Sequence, residues 1–277
     1  MPTEGLRVGL VQFTATTSMA RNIELTMVAT RAAAAQGAEL VCLPEVANLM
    51  QRQRREAAKV VCFEASDPAL AAWRALAGEL GIWLHAGSLV LRSEEDERFV
   101  NRGLLIGPDG GIRARYDKIH MFDVDLDGGE SYRESSGFRP GERAVLAQTP
   151  WGGYGLTICY DLRFPHLYRL LAQAGARILA VPSAFTRQTG AAHWHTLLRS
   201  RAIETGCFVL AAAQCGDHED GRQTYGHALA VSPWGEVLAD AGETPGVVVV
   251  DLDLAAVEAA RGKVPSLFHD RTIAPPA

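Results

Sequence analysis

Lysine is nearly missing from this chain. Of 27 basic residues only three, Lys59, Lys118 and Lys263, carry an ammonium. Arginine serves where a surface cation is needed, so a lysine kept in an apolar setting is a candidate for chemistry that needs a compact ammonium. Basic runs are missing too. The nearest, Arg52-Gln-Arg-Arg55, reads as a solvated loop or helix start, and the net charge is −5, so nucleic acid is not an expected partner. No apolar run approaches the length of a membrane helix, and the N-terminus enters a strand-like segment with no leader pattern. Neither a membrane nor a secretory route is expected. Cysteine is sparse: Cys42, Cys62, Cys159, Cys207 and Cys215 contain no CxxC pair. That spacing argues against a disulfide framework or a zinc ribbon, and it leaves the reducing cytoplasm as the simplest setting. No metal and no cofactor are called for.

What is present fits an ordinary globule with a sizeable core: 277 residues, 48% hydrophobic and 21% charged. Residues 6–13 and 38–43 read as strands around an alanine-rich helix over 19–36, capped by Ser18 and stopped by Gly37. A polar stretch over 51–65 leads to a second helix opened by Ser66-Asp-Pro68 and running to about Gly81. Strands are expected over 82–91 and 99–106, and Pro108-Asp-Gly110 turns the latter into a hairpin with 112–116. Residues 121–143, rich in Asp, Gly, Glu and Ser, form a long loop of the kind usually kept for function. Beyond it the pattern gives helices over 166–174, 190–204 and 254–261, with strands over 177–182, 207–213, 225–232, 236–239 and 246–252. The helix over 190–204 offers Trp194, Leu197, Leu198, Ala202 and Ile203 for an apolar face. Trp151 and Trp234 close hairpins against the sheet edges. No linker-like run divides the chain, so one α/β domain over 1–277 is expected, with its core over 6–253 and a tail after it.

The stretch from Tyr154 to Pro165 (Tyr-Gly-Leu-Thr-Ile-Cys-Tyr-Asp-Leu-Arg-Phe-Pro) turns abruptly from apolar to polar at Cys159. A thiol between a buried strand and the start of a helix stands where a nucleophile is exposed and where backbone N–H groups face a developing negative charge. Plain packing is the commoner use of such a cysteine. Two further residues weigh against packing. Glu45, closing Leu43-Pro-Glu-Val46, and Lys118 also sit at or just past the carboxyl ends of strands, the edge at which open α/β sheets bind ligands. Their plainer roles are a loop cap and a solvated charge. Together the three groups suffice for acyl transfer: the carboxylate takes the thiol proton, and the ammonium, with the N–H of Tyr160, stabilises the oxyanion. The acid formed on the carboxylate then protonates the departing amine. His193 and His195, two apart on a helix, do not face one point and so make no metal pair.

Three ordered blocks carry a resemblance: Leu43-Pro-Glu45, Tyr116-Asp-Lys-Ile-His-Met-Phe-Asp123, and Gly155-Leu-Thr-Ile-Cys-Tyr-Asp-Leu-Arg-Phe-Pro165. With them the chain resembles the nitrilase superfamily of carbon–nitrogen hydrolases over 6–253. The resemblance implies a four-layer α-β-β-α sandwich, a triad of Glu45, Lys118 and Cys159, and subunits that pair as homodimers or higher homo-oligomers. It also implies a second carboxylate beside the lysine, matched by Glu134; the plainer role for Glu134 is pairing with Arg133 or Arg139. Phe185 and Thr189 match positions lining the family's pocket. Pro182-Ser-Ala-Phe-Thr186 and Thr189-Gly-Ala-Ala-His-Trp194 look most like the branch that hydrolyses deaminated glutathione, a small-molecule amide. The sibling branch, ω-amidases acting on 2-oxoglutaramate and 2-oxosuccinamate, shares several of these motifs. Both kinds of substrate end in a 2-oxo acid, so a cation is needed for its carboxylate. Arg163 is the candidate, with a salt bridge to Asp161 as its plainer role. A catalytically silent scaffold and a redox protein using Cys159 as a peroxidatic thiol are the readings from other classes. The intact triad argues against the first, and the lack of an evident resolving cysteine against the second.

Overall fold

Period-two burial along the first strand sets the architecture. In a computed structural model that describes residues 4–126, 131–274 and 276, the strand Gly5–Phe13 sends Leu10 into one apolar cluster and Val11 into another. Leu40 and Val41 of the strand Leu40–Cys42 divide the same way. The sheet they belong to therefore needs cover on both faces.

That sheet has nine strands among the described residues. Gly5–Phe13, Leu40–Cys42 and Trp83–His85 run parallel at its centre, in the register Val8 to Leu40 to Trp83. Parallel neighbours require crossovers. Helices α1 (Met19–Ala35) and α3 (Pro68–Leu80) lie between these strands in sequence, with the short α2 (Arg54–Val60) before α3. Ser18 caps α1 by accepting the Arg21 N–H, and Asp67 caps α3 by accepting that of Leu70. Trp73 of α3 donates its indole N–H to Thr26 of α1 at 2.9 Å, tying the outer layer together.

A second sheet of six strands repeats the plan. Gly152–Leu156, Ala176–Ala180 and Phe208–Ala211 are its parallel centre, crossed by α4 (Pro165–Gln173) and α5 (Arg187–Thr205), and α6 (Ala255–Lys263) follows the last strand of the first sheet. The inner faces meet through Leu10, Leu40 and Leu105 on one side and Tyr154, Leu156 and Ile178 on the other. Trp83 and Trp151 make an edge-on contact across this layer with ring centres 5.7 Å apart. The result is the four-layer α-β-β-α sandwich expected of the sequence.

Several elements depart from expectation where turn chemistry interrupts an apolar run. Residues 82–91 form two strands, Trp83–His85 and Leu89–Arg92, because the chain bends at Gly87. Gly87 has φ +62, and a Cβ there would overlap the Leu43 and Pro44 carbonyls. Residues 207–213 are likewise not one strand: Phe208–Ala211 pairs in the second sheet, while Ala213–Asp217 has crossed into the first. Residues 225–232 break at Gly226 and His227, both at positive φ, into Gln223–Tyr225 and Leu229–Val231. Ile203 is exposed on α5 while Arg201 is buried, and Trp234 is exposed under Lys263 rather than packed on a sheet edge. The long loop contains a small hairpin, Asp123–Asp125 with Ser131–Arg133, and a 3₁₀ turn over Glu134–Ser136; its residues 127–130 lie outside the described residues. No helix among the described residues is long and apolar enough to cross a membrane.

Candidate active site

Glu45 leaves the end of Leu40–Cys42 through a backbone that the neighbouring strand break holds in place. The Val46 N–H bonds to the Ser88 hydroxyl at 3.0 Å and the Ala47 N–H to the Ser88 carbonyl at 2.9 Å, while Val46 takes φ +49. Both oxygens of the carboxylate accept hydrogen bonds from the protein. Oε1 accepts from Lys118 Nζ and from Asn101 Nδ2, each at 2.9 Å, and Oε2 accepts from the Ala184 N–H at 2.9 Å. Gln214, carried in by the strand that changes sheets, donates to the Glu45 carbonyl at 2.9 Å.

Lys118 follows the strand Ile112–Asp117 and is buried. Its ammonium lies 2.9 Å from Glu45 Oε1 and 3.0 and 2.9 Å from the two Glu134 oxygens. Burial alone would push this ammonium down, but the charges of Glu134 and Glu45 outweigh it and hold the group well above its ordinary value. Glu134 is fixed from its other side by the Phe122 N–H at 2.6 Å. Its plainer roles do not occur: Arg133 pairs with Asp125 and Arg139 with Glu95.

Cys159 follows the strand Gly152–Leu156 and opens a 3₁₀ turn over Cys159–Arg163 at φ +47, a strained value for a non-glycine residue. Asp161 anchors this turn. Its oxygens accept from the Ile158 N–H (2.8 Å), Tyr116 Oη (2.7 Å) and the His120 N–H (3.1 Å), and His120 Nδ1 lies at 2.6 Å. The cysteine block is thereby tied to the block carrying Lys118. Burial and then the Glu45 carboxylate, to which the thiol also hydrogen-bonds, push the Cys159 thiol well above its ordinary value, with Lys118 acting in the opposite sense. The thiol is thus neutral at rest and has a carboxylate against it.

These groups meet at the wall of one cleft of about 380 Å³. Tyr160, Phe185 and Thr189 line it, as do Phe122, Tyr132 and Phe138. Arg163 does not. Its guanidinium lies over the Phe185 and Tyr160 rings at 5.4 and 5.9 Å and meets His193 Nδ1 at 3.3 Å, so it backs the wall without facing the cleft. The salt bridge to Asp161 is absent as well, because the Asp161 oxygens are already occupied. Sequence reading passed over Asn101, the Ala184 N–H, Gln214 and Asp161. Only Asp161, two residues past the cysteine, carried a signal, and it was weighed as a partner for Arg163. Among the described residues one trio, His195, His227 and Asp240, has ligand atoms within 4.8 Å of one another, the spacing that can hold a metal ion; none of the three lines the cleft. As expected, His193 and His195 face different partners.

Comparison with known proteins bears on the family and the fold. The deaminated glutathione amidase of Mus musculus is 40% identical over 268 residues, which cover 95% of this chain and 83% of that protein. The crystal structure of the C. elegans NitFhit protein superposes with a TM-score of 0.92 at 36% identity, covering 98% of this chain and 66% of that one. Saccharomyces cerevisiae Nit3, a member of branch 10 of the nitrilase superfamily, superposes with a TM-score of 0.86 at 28% identity over 95% of this chain and 96% of that one. The model of the carbon-nitrogen hydrolase family matches residues 7–262, and with a sandwich of this kind around a cleft of this kind the chain belongs to that family.

Proposed function

We propose that this protein is a single-domain amidase that hydrolyses deaminated glutathione, an oxoglutaryl group in amide linkage to Cys-Gly, to 2-oxoglutarate and Cys-Gly. The observation that carries the reading is the contact of one carboxylate, Glu45, with both the Cys159 thiol and the Lys118 ammonium in a largely buried cleft. The name shared by relatives such as the Mus musculus enzyme supports the substrate.

In the first step Glu45 takes the Cys159 proton as sulfur bonds to the amide carbon. A buried thiol with a raised pKa needs such a base close at hand. The negative charge on oxygen is met by the Lys118 ammonium and the Tyr160 N–H, near the start of a turn whose first N–H groups have no partner within it. Collapse breaks the C–N bond, and protonated Glu45 returns the proton to the departing amine. Water, deprotonated by Glu45, then attacks the thioester; the C–S bond breaks, the Glu45 proton passes to the Cys159 sulfur, and the acid leaves. Glu134 keeps Lys118 charged and aimed throughout. Phe185 and Thr189 shape the acyl pocket, and Arg163 braces Phe185 and Tyr160 from behind.

The cell compartment we infer is the cytoplasm, in keeping with five cysteines that are all free in the fold. A homodimer is the assembly we infer, because Leu170 of α4, Ile203 of α5 and Trp234 leave large apolar side chains exposed. The deciding experiment compares kcat/KM for deaminated glutathione and 2-oxoglutaramate on purified protein. A clear preference for the former supports the reading. A preference for the latter replaces it with an ω-amidase, and hydrolysis of neither, with peroxide consumed or a protein partner copurifying, replaces it with a redox or scaffold role.

A further inference from the structure

Among the described residues five cations and two carboxylates line the cleft of a chain whose net charge is −5, so these residues make a positive wall in an acidic protein. Most of these cations are already engaged. Lys118 holds Glu45 and Glu134, Arg133 holds both oxygens of Asp125 at 2.9 Å, and Arg54 donates to the Glu97 carbonyl at 3.0 Å. Two are left over.

Arg222 sits at the end of the turn that joins Ala213–Asp217 to Gln223–Tyr225. Its backbone is fixed by the His218 N–H donating to the Arg222 carbonyl at 2.8 Å and by its own N–H donating to Asp220 Oδ1 at 3.1 Å. Its guanidinium is engaged on one edge only. Nε is ion-paired with the buried Asp220 Oδ2 at 3.1 Å, though not in hydrogen-bond geometry, while its terminal NH groups have no protein partner among the described residues. Arg52 is the second. It makes no ion pair or hydrogen bond among the described residues and stands over the Tyr132 ring at 5.4 Å. Guanidinium NH groups left without a protein partner on a cleft wall suit a planar anion, and a carboxylate is the match for their fork. The two rise from different parts of the wall, Arg222 next to Thr224, which pairs with Thr186, and Arg52 next to Tyr132.

We propose that Arg222 and Arg52 are two carboxylate-binding subsites, and that the site takes linear amides carrying a carboxylate on each side of the scissile bond. The proposal rests on the amidase reading and deepens it. Deaminated glutathione has one carboxylate on its acyl portion and one on its departing dipeptide. A primary ω-amide has only the first, because its leaving group is ammonia. The charge pattern thus gives a reason for preferring the former, and it replaces the single cation that Arg163 was expected to supply.

Calorimetry on the Cys159→Ala protein measures binding apart from chemistry, so this test and that of the amidase reading fail independently. The titrants are deaminated glutathione and 2-oxoglutaramate. Arg222→Met and Arg52→Met, each added to that background, should each weaken binding of deaminated glutathione by roughly tenfold or more, the value of a lost hydrogen-bonded charge. Only one of them should weaken 2-oxoglutaramate. Arg→Lys at either position should recover part of the loss, and melting temperatures well above the titration temperature show that the fold is intact. Affinity for deaminated glutathione within twofold in either Met variant overturns the proposal, as does equal weakening of both ligands by both variants or no binding of deaminated glutathione at all.

Discussion

Lys118 is held by two carboxylates, and the site turns on that imbalance. Replacing it with methionine leaves Glu45 and Glu134 facing each other without a cation and, in the proposed mechanism, removes an oxyanion donor. Lys118→Met should lower kcat by at least about 100-fold. It should also cost on the order of 3–5 kcal/mol of stability, the usual penalty for breaking a buried pair from one side. Steady-state kinetics and thermal melts read the two effects separately. A second residue, His85, titrates for reasons of packing alone. It is buried between the sheets, 3.1 Å from the Tyr154 hydroxyl, its Nε2 has no partner among the described residues, and burial lowers its pKa from 6.5 to about 3. Between those values the unfolded chain binds a proton that the folded one refuses, so stability falls as pH drops through this window. The slope is about 1 kcal/mol per pH unit. Denaturant melts from pH 7 to 4 should show His85→Gln losing less stability than the parent, and parallel acid limbs would contradict the assignment. Cys159, Glu45 and Lys118 stood out in the sequence because each has a chemical identity that its local motif displays, whereas Glu134 came only through the family resemblance. Asn101 and Gln214 did not stand out. Each is a polar side chain inside an apolar strand, and its use appears only when a carboxylate from another element is brought against it.

Elements were legible wherever periodicity and caps agree. Helix α1 starts at its serine cap and stops one residue short of the expected Gln36, before Gly37, and the Pro108-Asp-Gly110 turn makes its hairpin. The interrupted strands were not, because an apolar run says how deeply a segment is buried but not which sheet it pairs with. The break at Gly87 matters most for function, since it frees Ser88 to hold the backbone on either side of Val46, just past Glu45. Gly87→Ala would force a Cβ onto two carbonyls at a positive φ. A loss of more than about 1 kcal/mol is expected, together with a lower kcat from a displaced Glu45. An unaltered melting curve in Gly87→Ala would show that the bend does not depend on glycine. The turn after Ile158 makes the complementary case. Asp161→Asn keeps its shape but weakens the ties to Tyr116 and His120, and kcat should fall with little change in KM if the aspartate positions Cys159 relative to Lys118. A change confined to KM would contradict that role.

At the scale of the molecule, two sheets with parallel centres are packed so that strand ends from both meet at one cleft. Glu45 and Lys118 come from the first sheet, Cys159 from the second, and the two sheets are tied near the cleft by backbone pairing of Ser183, just past a strand of the second sheet, with Ala213, in a strand of the first. Chemistry is therefore assembled only when the sandwich is closed, which is why three short motifs far apart in sequence read as one site. The exposed apolar side chains of α4 and α5 lie outside that site, and sedimentation of the purified protein is expected to give a dimer; a monomer at micromolar concentration would contradict the assembly inferred from them. The central claim is that Cys159 carries the acyl group. Rapid-quench intact-mass measurement during turnover of deaminated glutathione should find an oxoglutaryl adduct that peptide mapping places on Cys159, with neither adduct nor product in Cys159→Ala. Product formed by the folded Cys159→Ala protein would contradict the account.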